Sequence, residues 1–90
     1  MTAPGTITVR VLLFASFREI AGQSELRVAI QAGTTVESVL GSLESKYPEL
    51  AALRQCTTFA VNRQIVGGST TLRDGDELAF LQPVAGGAGD

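Results

Sequence analysis

The residues with the clearest chemical use stand near the C-terminus, where residues 74–87 read Asp-Gly-Asp-Glu-Leu-Ala-Phe-Leu-Gln-Pro-Val-Ala-Gly-Gly. Pro83 has no N–H for a sheet ladder, and Gly86-Gly87 has no side chain to pack, so a strand over 77–81 must end before them. Beyond that strand the chain becomes a slim tail. Without a Cβ, the two glycines let the backbone thread a channel that would exclude other residues. From Gln82 to Gly87, extended at about 3.3 Å per residue, the tail reaches roughly 20 Å. Such a tail suits entry into a narrow site on another protein, and the rest of the chain then acts as a scaffold that holds it out.

Other chemistries find little support. The chain has no histidine, which excludes a nucleophile–histidine pair and the usual zinc sites. Cys56 is the only cysteine, so no internal disulfide forms, and it reads as a small loop or core residue. Asp74, Asp76 and Glu77 lack the roughly twelve-residue ligand spacing of a calcium loop and read instead as a turn. Gly67-Gly68 is a loop without a phosphate-loop pattern around it. Arg18-Glu19 reads as a solvated pair. No cofactor or metal site is expected. A net charge of −2 with no basic run disfavours nucleic acid, which needs clustered Lys and Arg. Residues 1–6 lack the apolar core of a signal peptide, and no stretch is long enough to span a membrane, so a cytoplasmic location is expected.

At 90 residues and 44% hydrophobic content, one ordered domain with a modest core is expected. Residues 1–6 are expected to be a flexible N-terminus, 7–81 the domain, and 82–90 a flexible tail. Within the domain, residues 7–14 alternate as a strand. Residues 15–22 form a connection with room for one helical turn around 17–20, ended by Gly22. A second strand covers 25–30. Residues 34–47 form the one clear helix, with Thr34 and Glu37 at capping-box spacing, Val36, Val39, Leu40, Leu43 and Tyr47 on one stripe, and Glu37, Ser38, Glu44, Ser45 and Lys46 on the solvated side. Gly41 inside it implies a close approach to the sheet. Pro48 ends the helix, and Leu50 and Leu53 suggest a further turn over the core. Strands at 57–62, 64–66 and 77–81 complete the domain, with turns at Asn62-Arg63 and Asp74-Gly75.

One helix covers one face of a small sheet. The first two strands pair as a hairpin, and the last lies parallel beside the first, a connection that right-handed crossover permits. This is an α+β roll of β-grasp type with a mixed sheet. Ile7, Val9, Val11, Leu13, Leu26, Val28, Ile30, Phe59, Val61, Leu78 and Phe80 then face the helix. The opposite face should be wet. Thr8, Arg10, Asn62 and Glu77 fit that expectation, whereas Leu12, Phe14, Ala60, Ala79 and Leu81 form an apolar patch at the root of the tail. Such a patch is either a partner surface or a second small core beneath the 15–22 connection.

Taken together, Phe14-Ala15-Ser16-Phe17-Arg18-Glu19, Val61-Asn62, Leu72-x-Asp74-Gly75-Asp76-Glu77 and Gln82-Pro83-Val84-x-Gly86-Gly87 resemble the small subunit of molybdopterin synthase, a ubiquitin-like sulfur carrier, over about residues 7–87. The resemblance implies that the carboxyl of Gly87, preceded by Gly86, is adenylated by an ATP-dependent activating enzyme and converted to a thiocarboxylate. It then enters the large synthase subunit and supplies sulfur to the molybdopterin dithiolene. The chain itself would have no active site of its own. Leu12, Phe14, Ala60, Ala79, Leu81, Pro83 and Val84 would meet the partners. Family chains end at the second glycine, whereas this chain continues through Ala88, Gly89 and Asp90, so a trimming protease is expected. The readings kept beside this one are a carrier for thiamine or cysteine synthesis, a ubiquitin-like modifier of lysines, and an interaction module with an inert tail.

Overall fold

The computed structural model describes residues 5–82. The Gly-Gly tail and most of the short N-terminal segment therefore lie outside the described residues. The elements are β1 (Thr6–Leu13), α1 (Ala15–Ala21), β2 (Glu25–Gln31), α2 (Val36–Lys46), a 3-10 segment (Pro48–Cys56), β3 (Thr58–Val61), β4 (Gln64–Val66) and β5 (Glu77–Leu81). They build a five-stranded sheet in the order β2-β1-β5-β3-β4. The central pair, β1 and β5, is parallel, and every other pair is antiparallel. This is the α+β roll of β-grasp type, with a mixed sheet, expected from the pattern. Among the described residues no helix is long and apolar enough to cross a membrane.

The core forms where the apolar stripe of α2 meets the inward residues of the sheet. Val36, Val39, Leu40 and Leu43 are buried against Val9, Val11, Leu13, Leu78 and Phe80. Each such side chain contributes about 1.5–3 kcal/mol on burial, so this layer dominates the stability of the fold. Leu26, Val28 and Ile30 of the edge strand β2 pack against it half-buried, as do Ile7 near the start of β1 and Phe59 and Val61 of β3.

Four details differ from the sequence expectation. The residues 15–22 connection is a seven-residue helix, closed by Gly22 at φ 78, whose N–H donates to the Arg18 carbonyl. Its Phe17 is fully buried, with its ring centroid 5.5 Å from that of Phe80, so it plugs one end of the main core. The cap of α2 is Thr35, not Thr34. Thr34 Oγ1 donates to the Gln31 carbonyl and closes the turn after β2, which leaves Thr35 Oγ1 to accept from Ser38 N–H at 3.3 Å. Gly41 makes no close approach to the sheet, because a Cβ there would meet only the Arg54 guanidinium, at 3.7 Å. That guanidinium arrives from the 3-10 segment, anchored by buried Leu50, and makes two 2.8 Å hydrogen bonds to Glu44 of α2. Glu44 is therefore a paired residue rather than a freely solvated one, and its carboxyl is held below the usual range first by the Arg54 hydrogen bond and then by the nearby guanidinium charge.

Candidate functional site

Both helices and the 3-10 segment leave the second face of the sheet bare, and strand register determines what stands on it. Leu12 pairs with Ala79, Ala79 with Ala60, and Ala60 with Ile65. These four residues make one apolar row across β1, β5, β3 and β4. Phe14 and Leu81 extend it at the end where β5 finishes. Together they line a groove of about 330 Å³ with Arg63 and Glu77 on its rim. The two alanines form the floor, and the larger side chains form the walls.

All five described patch residues expected from the sequence therefore come together. Phe14 is 45% exposed and Ile65 68%, the large exposed hydrophobics among the described residues. Ala60 is 4% exposed, so it serves as floor rather than as an accessible contact. The alternative of a second small core beneath residues 15–22 does not hold. Phe17 of α1 points into the main core, and no residue of α1 lines the groove.

Phe14 owes its position to the helix it caps. It is the N-cap residue of α1 in extended conformation, and its carbonyl accepts from the N–H groups of Phe17 and Arg18 at 3.0 and 3.4 Å. The backbone is held while the ring remains outside. Ile65 and Arg63 are additions to the site that the sequence pattern does not mark. Asn62 and Arg63 both have positive φ, 52° and 72°, as a two-residue type I′ hairpin requires. That turn sets the β3–β4 register. Applying side-chain alternation across it would have placed Ile65 beside Ala60.

The Asp74-Gly75-Asp76-Glu77 segment works as a latch on the start of β5. Asp74 Oδ1 accepts from Thr8 N–H at 2.8 Å, and Gly75, at φ 85, donates its N–H to the Thr8 carbonyl at 2.8 Å. Asp76 accepts from Arg73 N–H through Oδ2 and from Asn62 Nδ2 through Oδ1. Asn62 Oδ1 in turn accepts from Glu77 N–H at 3.0 Å. Three segments are thereby tied together before β5 begins, which fixes where the strand delivers Gln82. The carboxylates of Asp74 and Asp76 are engaged by N–H groups, consistent with the turn reading.

Charge borders the groove on the β2 side. Arg10 lies 3.2 Å from Glu25 and 3.5 Å from Glu77. The Glu25 hydrogen bond is the largest cause raising the guanidinium above its ordinary range, so Arg10 stays cationic throughout. Arg18 and Glu19 are exposed on α1, and Cys56 is exposed at the end of the 3-10 segment. Pro83, Val84, Gly86, Gly87, Ala88, Gly89 and Asp90 lie outside the described residues.

A β-grasp body with a bare apolar face at the end of β5, and Gly86-Gly87 following in the sequence, has the architecture of the ubiquitin-like proteins. The model of the ThiS family matches residues 11–87, its last matched position being Gly87. The chain is 43% identical over 82 residues to the molybdopterin synthase sulfur carrier subunit of Mycobacterium tuberculosis, covering 90% of this chain and 99% of that protein. It is 35% identical over 85 residues to small archaeal modifier protein 3 of Haloferax volcanii, covering 82% and 92% of the two chains. Among solved structures, a Haloferax volcanii protein superposes with a TM-score of 0.84 at 32% identity, over 96% of this chain and 92% of that one. The complex of subunits 1 and 2 of molybdopterin-converting factor from Helicobacter pylori contains a chain of the same fold, with a TM-score of 0.59 at 23% identity over 87% and 96%. This chain belongs to the ThiS family, and within it to the molybdopterin synthase sulfur carrier subunits.

Proposed function

We propose that the chain works in the cytoplasm as the sulfur-donating small subunit of a molybdopterin synthase, docking through its bare face and delivering Gly87 into the large subunit. The observation that carries this reading is the apolar row Leu12–Ala79–Ala60–Ile65 with Phe14 and Leu81 at the end of β5. It supports the reading because an exposed apolar surface lies beside the end of β5, after which the sequence runs on to Gly87. A partner that covers the groove thereby fixes the origin of a tail long enough to reach roughly 20 Å into it.

The chemistry starts from what a carboxylate lacks. It is a poor electrophile, because oxide is a poor leaving group. Attack by the Gly87 carboxylate on the α-phosphorus of ATP, in the activating enzyme, releases pyrophosphate and leaves an acyl adenylate. Hydrosulfide then attacks the acyl carbon, expels AMP and, on losing its proton, leaves the thiocarboxylate. The tail next moves to the large subunit, where that sulfur enters the dithiolene. Gly86 and Gly87 provide the backbone clearance, and Pro83 and Val84 contact the entrance. Since Ala88, Gly89 and Asp90 extend the chain past Gly87, the Gly87–Ala88 peptide bond must first be hydrolysed. The chain contributes position and a carrier group, and the partners contribute the catalytic residues.

A second reading is supported by the 35% identity to an archaeal modifier protein. The same activated glycine would then form an isopeptide bond with a lysine of another protein. Intact-mass and peptide mass spectrometry of the protein from its native host separates the two. Sulfur in place of one terminal oxygen on Gly87 supports the carrier, and an isopeptide remnant on other proteins supports the modifier. A chain found only with an untouched Asp90 contradicts both.

A further inference from the structure

We propose that Arg63 selects the partner by charge, pairing with a carboxylate that the large subunit carries beside the apolar side chain it seats in the groove. The proposal rests on the reading of the bare face as the large-subunit dock, and adds to it a specificity-determining residue. Two independent observations carry it.

The first is placement. Arg63 occupies the second position of the β3–β4 turn at φ 72, a conformation that glycine adopts without strain and arginine does not. The turn is held from both sides of Asn62, which donates to Asp76 and accepts from Glu77 N–H. Arg63 is thus held on the rim of the groove, two residues before its most exposed wall, Ile65.

The second is charge. On the β2 side of the face Arg10 engages both Glu25 and Glu77, and Arg27, opposite Arg10 in register, does not line the groove. At the β4 side Arg63 is exposed, and it makes no ion pair among the described residues. The chain as a whole is net −2, so this open cation is a local feature and not part of a basic surface. A guanidinium presents a planar fork of donors that matches a carboxylate. A polyanion such as nucleic acid would need clustered cations, which this rim lacks. When an apolar side chain fills the groove, water is removed from one side of the guanidinium, and a facing carboxylate then discriminates between partners more strongly than an open surface pair does.

The test measures association rate and Kd for the large synthase subunit of the same organism, at low and at physiological salt. Arg63→Ala should weaken binding about three- to tenfold and Arg63→Glu by tenfold or more, mostly through slower association and mostly at low salt. Arg63→Lys should fall between Arg63→Ala and wild type. Ile65→Ala should weaken binding at every salt concentration while keeping the wild-type salt dependence. Melting curves show whether each variant folds, and all of these residues are exposed. Wild-type affinity and salt dependence in Arg63→Glu overturns the role of Arg63 and leaves the docking face standing. A wild-type chain that does not bind the large subunit overturns the docking reading, and the role of Arg63 with it.

Discussion

Replacing Phe14 with alanine should damage binding far more than folding, and the structure permits the size to be worked out. A phenylalanine carries roughly 200 Å² of surface that can be buried. With 45% of the residue exposed, about 90 Å² remains for a partner to cover. At about 25 cal/mol per Å² that surface is worth about 2 kcal/mol, or roughly 30-fold in Kd. The folding cost is smaller than for a core aromatic, because the Phe14 backbone keeps its hydrogen bonds to Phe17 and Arg18 and the ring leaves no enclosed cavity. About 1–2 kcal/mol is expected, within the roughly 5–15 kcal/mol that a domain can draw on. Phe17→Ala is the control. Phe17 is fully buried against Phe80, so its loss should cost about 3–5 kcal/mol and depress the melting temperature sharply. The assay pairs calorimetric titration of the large subunit with denaturant unfolding of both variants. If Phe14→Ala loses as much stability as Phe17→Ala while its surviving folded fraction binds normally, Phe14 belongs to the core and the docking reasoning is wrong.

Three further expectations concern the helix layer. Leu40→Ala, at a fully buried position, should cost about 2–5 kcal/mol by urea denaturation; a loss below about 1 kcal/mol would contradict the assigned face of α2. Gly41→Ala should stabilise by about 0.4–1 kcal/mol, since the added Cβ meets only Arg54 at 3.7 Å and the helix gains a better former; destabilisation would show that the helix needs glycine there. Glu44 has a folded-state pKa below its unfolded one, because Arg54 hydrogen-bonds its ionised form. Its contribution, under about 1 kcal/mol for such a pair, is therefore complete above the unfolded carboxyl range and is lost as pH falls through the folded value. Glu44→Gln should flatten that acid limb in urea titrations at stepped pH, and an unaltered limb would remove Glu44 from the account.

The parts of this molecule legible in its sequence are those where one strong local signal decides. Alternation in β1 and β5 separates a face that is apolar throughout from one that should be polar and is not, and that failure of alternation locates Leu12, Phe14, Ala79 and Leu81. The stripe Val36, Val39, Leu40, Leu43 specifies α2 for the same reason. The features that escape a sequence reading depend on neighbours. The helix α1 is only seven residues long, so Phe17, Ile20 and Ala21 mark barely one repeat of a helical period, and Phe17 declares itself as core only once Phe80 is beside it. The cap moves to Thr35 because Thr34 finds a nearer acceptor in Gln31. Gly41 does not face the sheet but lies beneath an arginine from the 3-10 segment, a contact between elements that no local pattern encodes. Ile65 sits on a three-residue strand, too short to alternate visibly, and joins the groove only through the register of the Asn62-Arg63 turn.

The central claim is that Gly87 carries sulfur. The measurement that addresses it most directly is sulfur loading by intact mass, with the cognate activating enzyme, ATP and a sulfur donor, on chains ending at Asp90 and at Gly87. In the longer chain the only terminal carboxyl is that of Asp90, and on this account its side chain should clash in a channel that admits glycine backbone alone. The account predicts little or no loading of that chain and efficient loading of the chain ending at Gly87. It also predicts that Gly87→Ala in the shorter chain impairs loading and transfer while binding of the large subunit changes little. Efficient loading on Asp90, or no loading on either chain with an active enzyme present, would contradict it.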